Sequence, residues 1–175
     1  MNTETHKILL KKAGALLARR AYSRIDLRSK LAGLAGDPEI ESVLKHLEQL
    51  NLLNDADYAY NFALHRIRQQ GWSPIRVQHA LLRHHVEMPI VECALERVRN
   101  EVGDESIIIL EYVLKHCGKK GLPTDRKGIR KLILHLHQRG FDEEHILGAL
   151  RQIIPAAALQ PFETGDRIDE QQPYP

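Results

Sequence analysis

The sequence predicts an all-α protein made of three tandem three-helix units, helix-turn-helix-like in layout and stacked on one another. Its charge pattern comes round three times. From Lys7 to Ala35 eight basic residues face a single acid, Asp26, and from Asp37 to Asp57 six acids face Lys45 alone. Basic stretches over 65–85 and 115–140 are likewise followed by acidic ones, so a net charge of +2 over 175 residues hides strong local segregation. The apolar residues keep the same period. Ser23, Ile25, Leu27, Leu31 and Ile40 recur fifty positions on as Ser73, Ile75, Val77, Leu81 and Ile90, and Val86, Val91, Ala94 and Leu95 recur fifty-five positions further as Phe141, Ile146, Ala149 and Leu150. Repeats of roughly 20 to 50 residues mark supersecondary units that bury their apolar faces by stacking. Within each unit the apolar residues fall at helical spacing.

In the first unit Ala13, Leu16 and Leu17 give one stripe, Leu27, Leu31 and Leu34 a second, and Ile40, Val43, Leu44, Leu47 and Leu50 a third. Ser23 with Asp26 reads as a capping box, and Asp37-Pro38 as a capping carboxylate before a proline. Ser73-Pro74, Thr124-Asp125 and Asp142 open later helices. Asn54 precedes a helix whose Asp55 and Asp57 suit its positive end. Gly36, Gly71, Gly103 and Gly140 suit helix ends, as does Asn51, because Asn tolerates positive φ. Helices are therefore expected near 5–21, 24–34, 38–51, 55–70, 74–85, 89–101, 106–117, 125–139 and 143–153. The units are 5–53, 54–103 and 104–154. The tail, 155–175, holds prolines among acids and glutamines without an apolar period and is expected to be disordered.

A unit of about fifty residues is marginal on its own, which is a second reason to expect stacking. Two cysteines, Cys93 and Cys117, make no disulfide framework, and no apolar signal segment opens the chain, so a cytoplasmic setting is expected. No apolar run approaches the roughly 20 residues that span a bilayer. The histidines around 79–85, 116 and 135–137 lack a zinc-binding spacing. No phosphate loop or nucleophile, base and acid set is present, so no metal, cofactor or catalytic residue is expected.

The stretch Leu17-Ala18-Arg19-Arg20-Ala21-Tyr22-Ser23-Arg24-Ile25-Asp26-Leu27-Arg28-Ser29-Lys30-Leu31 resembles the opening signature of the RecX regulators. A second block, from Leu47 through Leu53, Asp55, Tyr58 and Ala59 to Arg66 and Gly71-Trp72-Ser73-Pro74, is similar to that family's central signature. The likeness runs over about 13–154. Asn51 and His85 stand where glycine is usual, and Ser73 where glycine commonly precedes proline. The resemblance implies an elongated, curved all-helical body that binds the RecA filament on single-stranded DNA. It further implies that such binding lowers ATPase and strand exchange and limits filament growth, without enzymatic activity. The signature positions Leu17, Ser23, Leu27, Leu31, Leu53, Asp55, Tyr58, Ala59, Gly71 and Pro74 transfer as structural residues.

The charge pattern fits such a role. In helix-turn-helix DNA readers the third helix enters the major groove. Here the third helices carry Glu39 and Glu41, Glu92 and Glu96, and Glu143 and Glu144, which argues against that docking. Basic groups lie on the first two helices. A helix diameter of about 10 Å exceeds the Debye length of about 8 Å, so opposite faces keep separate character. Arg19, Arg20, Arg24, Arg28, Arg66, Arg76, Lys120, Arg130 and Lys131 are accordingly expected among the filament or DNA contacts. Trp72 is expected to anchor a turn, with stacking on an unpaired base as the alternative. The rival reading is a stand-alone DNA-binding regulator of transcription or nucleoid structure, and a third is a helical scaffold for an unrelated partner.

Overall fold

Ten helices run through residues 3–118 and 121–163, which the computed structural model describes. They are α1 (Thr3–Leu17), α2 (Arg24–Leu31), α3 (Asp37–Gln49), α4 (Asp55–Gln70), α5 (Pro74–Arg83), α6 (Met88–Val102), α7 (Glu105–Cys117), α8 (Arg126–His137), α9 (Glu143–Leu150) and α10 (Ala156–Glu163). Side-chain caps set most of the starts. Ser23, Asn54, Ser73, Asp104, Asp125 and Asp142 each accept a backbone N–H from the first turn they precede, a bond typically worth about 1 kcal/mol.

Five local expectations are corrected. The cap of α3 is Gly36, with extended backbone. Asp37 is already helical, and its carboxylate turns to Arg28 at 3.0 Å. The left-handed glycine in that turn is Gly33 (φ +83°) instead. Asp26 does not complete a capping box, because its carboxylate meets His84 Nδ1 at 2.8 Å. Helix α1 stops at Leu17 rather than near 21, since the chain turns there to bury Tyr22 and Ser23. Leu34 and Leu50, read as stripe members, lie past their helix ends and are exposed. Asn51 and His85 both adopt positive φ, 54° and 57°, so each does the work of a glycine at its helix end.

Helices α1–α3 enclose one core, built on Leu9, Ala13, Leu27, Leu31, Ile40, Val43, Leu44, Leu47 and Leu53. A second core runs unbroken through α4–α6 and α7–α9, because Ile67 of α4 and Ile108, Ile109 and Tyr112 of α7 belong to the same cluster. Ala156–Glu163, expected to be disordered, form α10 and bury Leu159 and Phe162 in that cluster. The rest of the tail, 164–175, lies outside the described residues.

The first unit meets the second mainly through polar bonds. Ser23 Oγ donates to the His84 carbonyl at 2.6 Å, and the Arg24 N–H donates to Asp55 at 2.7 Å. Asp55, read as a helix-dipole residue, thus reaches across to the preceding unit. Fifty positions on, the Ser73 N–H donates to the Arg139 carbonyl at 2.9 Å, and Arg76 bonds the Gln138 carbonyl. The fifty-five-residue offset carries His84 onto Arg139. The start of each second helix therefore abuts the end of the next unit's second helix, and the contact repeats with the sequence.

Candidate functional site

The junction between the second and third units gathers positive charge over aromatic rings that are buried or partly buried. Gly71, in left-handed backbone (φ +59°), closes α4, and the Trp72 N–H donates to the Arg66 carbonyl. That turn sets the Trp72 ring beside two guanidiniums, Arg66 at 4.7 Å and Arg76 at 4.2 Å from the ring centre. Arg66 also lies over Phe62 and bonds Gln70. From the turn after α8, Arg139 covers the Tyr112 ring at 4.3 Å and bonds the Gln70 carbonyl. An open cleft of about 340 Å³ lies between Trp72, Tyr112, His116 and Arg139, with Lys115 at its edge.

Among the described residues none of Arg66, Arg76 and Arg139 pairs with a carboxylate. Burial, then the neighbouring Arg139, Arg66 and Arg83, lower the pKa of Arg76 below the ordinary arginine value. A site that crowds like charges and leaves them unneutralised suits a polyanion, and guanidiniums over aromatic rings suit phosphates beside stackable bases. The first unit has a smaller version, with Arg20 over Tyr22 at 4.4 Å, fifty positions before Trp72.

Other expected contacts fall elsewhere. Arg24 bonds Glu41 and Glu48 at 2.5 and 2.7 Å, and Arg28 bonds Asp37 and Glu41 at 3.0 Å each. Packing of α2 on α3 brings these charges together, so the expected separation of basic and acidic faces does not hold in the first unit. Arg19 sits in the exposed turn after α1, and Arg130 and Lys131 lie on the exposed side of α8. Lys120 lies outside the described residues. In α6 the first turn carries no acid, so the case against groove docking rests on Asp37 and Glu39 in α3 and on Glu143 and Glu144 in α9. The signature residues Ser23, Leu27, Leu31, Leu53 and Ala59 are buried, Leu17 and Tyr58 are partly so, and Gly71 and Pro74 frame the Trp72 turn.

Sequence reading missed Arg139 as a site residue, and it treated His116 and His135 only as metal candidates. Their rings stack with Tyr112, at centre distances of 4.9, 5.8 and 5.6 Å around the trio. Arg139 Nε–H donates to His135 Nε2 at 3.0 Å, and Tyr112 Oη shares that nitrogen at 2.8 Å, so Nε2 is an acceptor and the ring is neutral. Burial, then Arg139 and His116, push the His135 pKa below the ordinary 6.5. A lowered folded pKa means the unfolded chain takes up the proton first. The stability contributed here is complete above the unfolded value and is lost as pH falls below about 6.5. His135→Gln should flatten the fall in melting temperature between pH 7 and 5, and an unchanged slope would remove this account.

The family model for the RecX second three-helix domain matches residues 54–95, the segment that carries Arg66, Trp72 and Arg76. Regulatory protein RecX of Prosthecochloris aestuarii is 32% identical over 155 residues, covering 87% of this chain and 97% of that protein. The Thermus thermophilus RecX is 41% identical over 86 residues, a match that spans 59% of its length. Among solved structures, RecX from Lactobacillus salivarius superposes with a TM-score of 0.66 at 18% identity, over 86% of this chain and 97% of that one, a likeness of fold. No described helix is long and apolar enough to cross a membrane. With its repeat, its helical architecture and a near full-length relative in agreement, the chain belongs to the RecX family of regulatory proteins.

Proposed function

We propose that this protein binds the RecA nucleoprotein filament on single-stranded DNA and limits its growth, ATPase and strand exchange. It does so in the cytoplasm, by binding rather than by chemistry, using units 5–53, 54–103 and 104–154 laid along the filament. The observation that carries the reading is the trio Arg66, Arg76 and Arg139 over Trp72 and Tyr112, with no carboxylate partner among the described residues. Such a surface meets the strand's phosphates and exposed bases where the filament leaves them accessible. Arg19, Arg20, Arg130 and Lys131 extend the contact. Arg24 and Arg28 serve the fold of the first unit instead.

The test is RecA ATPase on single-stranded DNA, titrated with this protein, beside a titration of the same DNA without RecA. Inhibition is expected at concentrations that leave bare DNA largely unoccupied. Unaltered ATPase would end the proposal. Preferential binding of a duplex sequence in the absence of RecA would support the stand-alone DNA regulator in its place.

A further inference from the structure

The chain passes from the first unit to the second at Leu53–Asn54, and these two residues are anchored in different bodies. Leu53 is buried in the first core with Leu44 and Leu47. Asn54 caps α4, its side-chain oxygen accepting the N–H groups of Ala56 and Asp57 at 2.9 and 3.3 Å. Among the described residues none from α1–α3 belongs to the second core. Nor does any of those three helices pack on α4–α10 as extensively as α4 packs on α7.

A small set of polar bonds holds the two bodies together. Ser23 Oγ donates to the His84 carbonyl, the Arg24 N–H donates to Asp55, and the Asp26 carboxylate meets His84 Nδ1. The side chains of Asp26 and His84 are 28% and 37% exposed, so water reaches the bond between them. Hydrogen bonds open to water are exchanged for bonds to water at small net cost, whereas parting two apolar surfaces costs in proportion to the area exposed. The second junction is the opposite case. There Ile67, Ile108, Ile109 and Tyr112 share one core, and turning α7 against α4 would open it.

We infer that the first unit is a hinged arm, which turns as one body about Leu53–Asn54 while α4–α9 stay rigid. Residues at the ends of elements are where hinges absorb their change in backbone angles. The bonds of Ser23, Arg24 and Asp26 form the latch that sets the resting position of the arm. Its swing alters the distance between Arg20 over Tyr22 and the cluster around Trp72. One chain can thereby meet anionic positions at more than one spacing along a polymer. This use of the arm rests on the filament reading. The hinge itself does not, and it is tested in the free protein, so the two fail separately.

Spin labels report the swing. One pair joins arm to body, Lys30→Cys with the native, exposed Cys93. The other lies within the body, Cys93 with Glu144→Cys, and both are made in the full chain carrying Cys117→Ser. The arm-to-body distance distribution should be the broader of the two. Asp26→Ala, which removes the bond to His84, should broaden it further and leave the within-body pair unchanged. Native-state hydrogen exchange gives a second reading that needs no label or substitution. Since the first core is the smaller and opens alone, the slowest amides of α3 should exchange at least about tenfold faster than those of α6. Equal widths for the two pairs, an arm distance indifferent to Asp26→Ala, or equal protection of α3 and α6 would each overturn the hinge.

Discussion

Gly71→Ala is expected to lower stability by about 3 kcal/mol, roughly 1 to 3 from holding a side chain in left-handed backbone and a similar amount from overpacking. The two contributions are separable here. A Cβ at Gly71 would land inside the ring of Tyr112, which is itself buried under Arg139 and stacked on His116 and His135. Displacing the ring would disturb its contacts with Arg139 and both histidines. For a domain of this size the loss corresponds to a fall in melting temperature of about 10 °C. Gly71→Ala combined with Tyr112→Ala removes the collision but keeps the backbone strain. That pair should therefore lose less than the sum of the two single changes. Strict additivity, or a single variant melting within about 2 °C of the parent, would mean that the ring does not occupy this position. Because the same turn presents Trp72, loss of filament inhibition should accompany the loss of stability.

Nine of the ten helices were legible in the sequence because their apolar residues kept helical spacing and polar caps or turn residues marked most of their ends. Helix α10 was not. Its eight residues include Pro161 and only Leu159 and Phe162 as large apolar groups, too short a run to show a period. It is held by burial against the second core, which no local signal reports. The charge reading failed in the first unit for a related reason. Counting charges along a segment places Arg24 and Arg28 in a basic stretch, whereas packing turns them toward Glu41, Glu48 and Asp37 on the next helix. The candidate site was half legible. Arg66 and Arg76 stood out by sign and Trp72 by its place in the turn. Arg139, Tyr112 and the two histidines join them only because α7 and α8 fold back on α4, and no spacing in the sequence brings residues 66, 112 and 139 together.

That division between paired and unpaired arginines yields the largest expected functional effect. Arg66→Gln with Arg76→Gln removes two cations that meet no carboxylate among the described residues and leaves Trp72 in its turn. If each contacts one phosphate, the apparent affinity for the filament should fall about thirtyfold, at roughly 1 kcal/mol per contact. The logarithm of affinity should also depend less steeply on the logarithm of salt, by about 0.7 per lost contact on a single strand. Arg76 bonds the Gln138 carbonyl, so the melting temperature must be followed alongside, and a fall of a few degrees is expected. Arg24→Gln with Arg28→Gln is the matched control, equal in charge removed. Those side chains already neutralise Glu41, Glu48 and Asp37, so this pair should lower the stability of the first unit while leaving the salt dependence of inhibition unchanged. The two double variants must differ in this direction, one losing affinity and salt dependence and the other losing stability. Identical behaviour would show that net charge matters and its placement does not, and the surface around Trp72 would lose its claim to be the contact.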